Sequence, residues 1–129
     1  MTGGCEWLVD AFGCQAARLT DVAQLLRLSD SIIERLELCV LGEPLVHQFP
    51  GPGGVTALYL LTESHLAWHT YPESGLMTLN VYCCRPRAPL DWTALLAPVL
   101  GAERVSVRRL ERGTEAHGAE VRGAEVRGE

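Results

Sequence analysis

The chain has 129 residues, 47% apolar and 21% charged, with a formal charge of −5. One globular domain is expected, large enough to bury about two-thirds of its unfolded surface without staples. The acidic balance argues against general nucleic-acid affinity, which needs a basic field. Arg85, Arg87, Arg104, Arg108 and Arg109 leave two readings, a local basic patch or solvated ends of strands and helices. Five cysteines, at 5, 14, 39, 83 and 84, are an odd number, and the chain shows neither a signal-peptide pattern nor a membrane-length apolar run. A cytoplasmic protein with reduced thiols is therefore expected. Zinc is not, because Cys83 and Cys84 would face opposite sides of a strand and no CxxC pair exists.

Glu6 to Phe12 reads as a first strand ended by Gly13. Thr20 or Asp21 can cap a helix in which Val22, Leu25, Leu26, Ile32, Ile33 and Leu36 recur at helical spacing, ending near Leu38. Ser29 to Ser31 allows a kink or break in it. Pro44 to Phe49 is a short strand, and Pro50 to Gly54 holds too much proline and glycine for regular structure. Val55 to Leu61 is a central strand and Leu66 to Tyr71 its partner, with Glu63 and Ser64 in the turn between. Leu76 to Cys84 alternates as a further strand. Asp91 can cap a helix from Trp92 to Leu100, and Arg104 to Leu110 is a last strand. A domain over residues 1–113 is expected. Beyond it, 114–129 carries a repeated Ala-Glu-Val-Arg-Gly and reads as a disordered tail. The order β-α-β-β-β-β-α-β fits an α+β, two-layer sandwich: one antiparallel sheet with two helices packed on one face. The other face must be covered or wet, so dimerisation is expected.

The chemistry-bearing residues concentrate in Thr62-Glu-Ser-His-Leu-Ala-Trp-His69, followed by Tyr71-Pro-Glu73 and by Cys84. A hydroxyl directly after a carboxylate residue, two histidines and a later thiol exceed what a structural strand needs. They read as a self-modifying active site.

The segments Gly4-x-x-Trp-Leu-Val-Asp-Ala-Phe-Gly-Cys14, His47-x-Phe49, Gly54-Val-Thr56, Glu63-Ser-His-Leu-Ala-Trp-His69-Thr-Tyr-Pro-Glu73-x-Gly75 and Asn80-Val-Tyr-Cys-Cys84 resemble the small prokaryotic S-adenosylmethionine decarboxylase proenzymes over roughly residues 3–110. The resemblance implies a pyruvoyl enzyme made as a proenzyme. It would cut itself between Glu63 and Ser64 and form homodimers of cleaved αβ protomers. Its cofactor would be a pyruvoyl group derived from Ser64, with no metal and no pyridoxal phosphate. The product would be decarboxylated S-adenosylmethionine, the aminopropyl donor for spermidine synthesis.

These residue types suit that chemistry. Ser64 Oγ can attack the Glu63 carbonyl and convert the amide into an ester, helped by a strained turn or an oxyanion donor. Loss of the Ser64 α proton needs a base, and His69 matches the family's processing histidine. Elimination and hydrolysis then give a ketone, which forms a Schiff base with an α-amine and accepts the electrons of decarboxylation. Cys84 matches the family's proton donor, and Cys83 is the better candidate for a buried apolar thiol. Thr56 matches a hydroxyl residue that supports processing. Phe49, Glu73 and Trp68 are assigned to substrate binding. Phe49 matches an aromatic for adenine or sulfonium, with structural core as its alternative. Of Trp68 and Tyr71, one would pack the sheet and the other line the pocket. His65 is expected to have a local structural role.

The match has departures. The usual Asp-x-Phe-x-Cys-Gly is Asn80-Val-Tyr-Cys-Cys84-Arg85, the Pro50–Gly54 loop is longer by one residue, and Gly-Val-Ser-Gly is Gly54-Val-Thr56-Ala57. Arg85 beside Cys84 could lower its thiol pKa or face solvent. The departures touch pocket shape and charge. Two further readings therefore stand beside the first: a pyruvoyl decarboxylase of ornithine, arginine or another amino acid, and an unprocessed, non-catalytic partner subunit.

Overall fold

A computed structural model describes residues 3–84 and 89–115. Arg85 and Arg87, most of the expected linker, and all but the start of the expected tail lie outside the described residues. The elements are β1 (Gly4–Phe12), α1 (Val22–Arg35), β2 (Leu45–Gln48), β3 (Val55–Leu60), β4 (His65–Tyr71), β5 (Leu76–Cys83), α2 (Trp92–Leu100) and β6 (Arg104–Arg112), with short 3₁₀ turns at Ala16–Leu19 and Pro72–Ser74. They follow the expected order. The strands form one sheet, β2-β3-β4-β5-β1-β6, antiparallel throughout.

Period-two alternation divides the sheet into two faces. One face buries Cys5, Trp7, Val9 and Ala11 of β1, Leu66 and Trp68 of β4, and Met77, Leu79, Val81 and Cys83 of β5. Leu25, Leu28 and Ile32 of α1 and Trp92, Leu96 and Leu100 of α2 close over it. Each such fully buried leucine or isoleucine stabilises the fold by about 2 kcal/mol. Among the described residues the opposite face carries no helix and leaves Leu58 and Leu60 exposed. This is the expected two-layer α+β sandwich. No helix among the described residues is long and apolar enough to cross a membrane.

α1 starts where Asp21 accepts a hydrogen bond from the Gln24 N–H at 3.2 Å. It runs unbroken through Ser29 and Ser31, because both hydroxyls donate to the carbonyl four residues back, Leu25 and Arg27. It ends at Arg35, before the expected Leu38. Glu37 there adopts a left-handed backbone with φ 56°, and Leu38 N–H donates back to the Ile33 carbonyl. Arg104 lies over the Phe12 ring, Arg108 pairs with Asp10, and Arg109 pairs with Glu111. These arginines are partnered side chains along an edge strand, as on the plainer of the two readings.

Two buried polar contacts lock β4 to its surroundings. Trp68 Nε1 donates to Ser29 Oγ at 2.7 Å. Thr70 Oγ1 donates to the Leu19 carbonyl at 2.7 Å and accepts from Val55 N–H at 2.9 Å. Removing the Thr70 hydroxyl orphans a buried N–H and a carbonyl. Thr70→Val is expected to lower unfolding free energy by about 1–3 kcal/mol. Urea denaturation in a Ser64→Ala background, which keeps one covalent chain, checks this.

Candidate active site

β3 and β4 form a hairpin whose register pairs Thr56 with His69 and Leu60 with His65. Thr62 and Glu63 connect them, closed by Leu61 N–H donating to the Ser64 carbonyl at 3.0 Å. Thr62 N–H donates to the Cys39 carbonyl at 2.9 Å, which ties the tip to the chain after α1. The Glu63–Ser64 bond thus sits at a hairpin tip, with Glu63 exposed and Ser64 half-buried. Cys84, one residue past β5, donates its thiol to the Glu63 carbonyl oxygen. Cys83 is fully buried on the helix side. Of the two devices expected to help attack on Glu63, a donor on its oxygen is the one the structure displays. Neither Thr62 nor Glu63 has a left-handed backbone.

A second cluster lies further along β4. Thr56 Oγ1 and His69 Nδ1 are 2.9 Å apart. They border a cleft of about 480 Å³ lined also by Phe49, Gly54, Tyr71 and Glu73. Gly54 is required there: a Cβ at this position would lie 2.7 Å from the Thr70 carbonyl oxygen. The longer Pro50–Gly54 loop forms part of the cleft wall. Phe49 is 51% exposed and meets His47 edge-on, so it is not a core residue.

Trp68 is a correction. It is 0% exposed, on the helix side of the sheet, bonded to Ser29. It cannot reach the cleft, because strand alternation turns it away from His69. Tyr71, two residues after His69, lines the cleft instead.

Ser64 and His69 are not brought together within one protomer. Five residues of extended strand at about 3.3 Å each separate them by roughly 16 Å, far beyond proton-transfer reach. The candidate residues therefore form two groups, Glu63, Ser64 and Cys84 at one end of β4 and Phe49, Thr56, His69 and Glu73 at the other.

Asn80, the departure from the usual aspartate, donates from Nδ2 to Glu6 Oε2 at 2.8 Å. It belongs to neither group. An aspartate there would set two carboxylates side by side. Glu6 and Arg112, ion-paired at 2.6 Å, were not picked out from the sequence. Their only signal is a charged residue within each alternating strand.

The fold and site define a two-layer α+β protein with Glu63–Ser64 at a hairpin tip and a separate cleft, and comparison with known proteins specifies its class. The family model for S-adenosylmethionine decarboxylase matches residues 5–113. The chain is 35% identical over 114 residues to the S-adenosylmethionine decarboxylase proenzyme of Parasynechococcus marenigrum, covering 88% of each. It is 36% identical over 118 residues to that of Brevibacillus brevis, covering 87% of this chain and 84% of the relative. The crystal structure of the adenosylmethionine decarboxylase from Aquifex aeolicus superposes with a TM-score of 0.71 at 27% identity, covering 90% of this chain and 95% of that one. The chain belongs to the S-adenosylmethionine decarboxylase family, whose members are pyruvoyl-dependent carboxy-lyases that supply the aminopropyl donor for spermidine synthesis.

The thiols differ in environment. Cys39 is exposed and Cys84 half-exposed, while Cys5, Cys14 and Cys83 are buried. Burial pushes the Cys14 thiol pKa above its usual value, so less of it is thiolate at any given pH. Mass-resolved alkylation near pH 8 is expected to label Cys39 and Cys84 first and Cys14 only on unfolding.

Proposed function

We propose that the chain cuts itself between Glu63 and Ser64, leaving 1–63 as β chain and 64–129 as α chain, and that Ser64 becomes the pyruvoyl group on which S-adenosylmethionine is decarboxylated. The observation that carries this reading is the Cys84 thiol on the Glu63 carbonyl oxygen. As Ser64 Oγ adds to the Glu63 carbon, negative charge builds on that oxygen, and the thiol proton is already in place to stabilise it. The C–N bond then breaks, the Ser64 nitrogen takes a proton, and an ester replaces the amide.

His69 is the base for the Ser64 Cα proton, whose loss expels the Glu63 carboxylate. In the tautomer suited to this, Nδ1–H donates to Thr56, leaving the Nε2 lone pair to accept. Thr56 thereby fixes the ring orientation, and its hydroxyl can accept from Nδ1–H. The dehydroalanine left at residue 64 would tautomerise and take up water, releasing its nitrogen as ammonia, and the ketone so made would supply a Schiff-base electron sink for the pair released with carbon dioxide. Cys84 Sγ supplies the replacing proton. Phe49 offers a face to the adenine or sulfonium and Glu73 a negative charge to a cationic substrate. Neither metal nor pyridoxal phosphate has a part in these steps. A reducing, cytoplasmic setting suits the thiols.

The separation of Ser64 from His69 supports a homodimer with composite sites. A two-fold axis between open sheet faces would set Ser64 and Cys84 of one protomer against the cleft, His69 and Thr56 of its partner. Leu58 and Leu60, 43% and 60% exposed, would gain cover there.

Intact mass under denaturing conditions tests the cut. Two fragments dividing at Glu63–Ser64, with a pyruvoyl mass on the second, are expected. A persistent single chain would favour the non-catalytic partner. A substrate panel separates S-adenosylmethionine from ornithine and arginine, and turnover of the basic amino acids alone would overturn the substrate. Co-expressing Ser64→Ala with His69→Ala chains tests the dimer. Cleavage of the His69→Ala chain only in the mixture is expected, because its Ser64 then meets an intact His69. No cleavage in a confirmed heterodimer would place each site within one protomer.

A further inference from the structure

We propose that a row of side chains across the open face, His65, Tyr82, Arg112 and Glu6, acts after cleavage to hold residue 64 against Cys84. It is a positioning device for decarboxylation and not for the cut itself. The inference rests on the cleavage at Glu63–Ser64 proposed above.

Before cleavage residue 64 is tethered on both sides. Glu63 holds it through the peptide bond, and the Glu63 carbonyl is held by Cys84. Cleavage removes that whole side. Residue 64 then ends a strand, and chain ends lose order unless tied down. What remains is the Leu61 N–H bond to the carbonyl of residue 64 and the placement of His65.

His65 is placed by more than backbone pairing. It lies directly opposite Tyr82 in the β4–β5 register, and Tyr82 lies directly opposite Glu6 in the β5–β1 register. The His65 and Tyr82 rings stack with centroids 5.8 Å apart and planes 24° apart. The Arg112 guanidinium carbon lies 5.6 Å from the centroid of the same Tyr82 ring. Arg112 is fixed in turn by Glu6 Oε1 at 2.6 Å, while Glu6 Oε2 takes the Asn80 amide at 2.8 Å. The Glu6 side chain is 13% exposed and that of Arg112 53%, so the pair is held from its carboxylate side and open to solvent at the guanidinium.

Cross-strand contacts of this kind are individually weak. They are too small to decide folding, yet enough to change how often a free strand end occupies one position. Proton delivery depends steeply on such placement. The row should therefore govern kcat of the matured enzyme, with little effect on the cut or on substrate affinity, since neither the intact hairpin nor the Phe49 cleft depends on it.

The experiment follows cleavage by intact mass and then S-adenosylmethionine turnover by the fully cleaved enzyme, for wild type, Tyr82→Leu, Tyr82→Phe and Arg112→Gln. For Tyr82→Leu a fall in kcat of about tenfold is expected, with cleavage rate and KM within about twofold of wild type. Tyr82→Phe keeps the ring and should restore kcat. Arg112→Gln, at an exposed edge position, should lower kcat about threefold with cleavage unaltered. It decides the matter if Tyr82→Leu does not fold. Unchanged kcat in the folded variants, or parallel loss of cleavage and kcat, overturns the positioning role. Failure of the wild-type chain to cleave would instead overturn the reading on which it rests.

Discussion

The two-residue period of β4 governs how this molecule is organised. Leu66, Trp68 and Thr70 turn toward the helices, and their contacts with Ser29, Leu19 and Val55 hold the strand in a single register. His65 and His69 are thereby turned the other way. A slip of one residue would exchange the two sets, burying imidazoles and exposing Trp68. The polar bonds on the helix side therefore also fix where the chemistry stands. Those bonds are short and buried, so the register is costly to change.

The same strand sets a distance. Extended chain is stiff, and Ser64 and His69 cannot approach each other along it. A protein with one covered and one open sheet face has a simple way to use both ends of such a strand, which is to face a second copy. On the proposed reading, oligomerisation completes the site and does not merely cover apolar surface. On the same reading cleavage imposes an opposing demand. The proposed cut would free a strand end, so placement would come from cross-strand neighbours that it leaves intact.

Much of the fold was legible in the chain. Alternation and apolar content gave every strand to within about two residues, and the caps at Asp21 and Asp91, with helical apolar spacing after the first, placed the helices. Where expectation and structure part, local geometry explains it. Glu37 turns left-handed and ends α1 early, and Ser29 and Ser31 satisfy their hydroxyls within the helix. Ser64, His69 and Cys84 stood out because their order and spacing are unusual for a strand. Trp68 was misplaced because a motif conveys proximity in sequence and not the face of a sheet. The pairing of Glu6 with Arg112 and Asn80 leaves no mark in the sequence because the partners lie far apart in the chain.

The sequence by itself determined the family, the order of elements, and the residue types on which the proposed conversion of Ser64 rests. Those follow from residue type and local spacing, which travel with the chain. Only the tertiary structure decided that the Cys84 thiol meets the Glu63 carbonyl, that His69 is held by Thr56 beside a cleft, and that these two groups stand apart. Such facts depend on which strands pair and in what register. That is settled by burial of one whole sheet face against two helices, a collective quantity that no short segment carries.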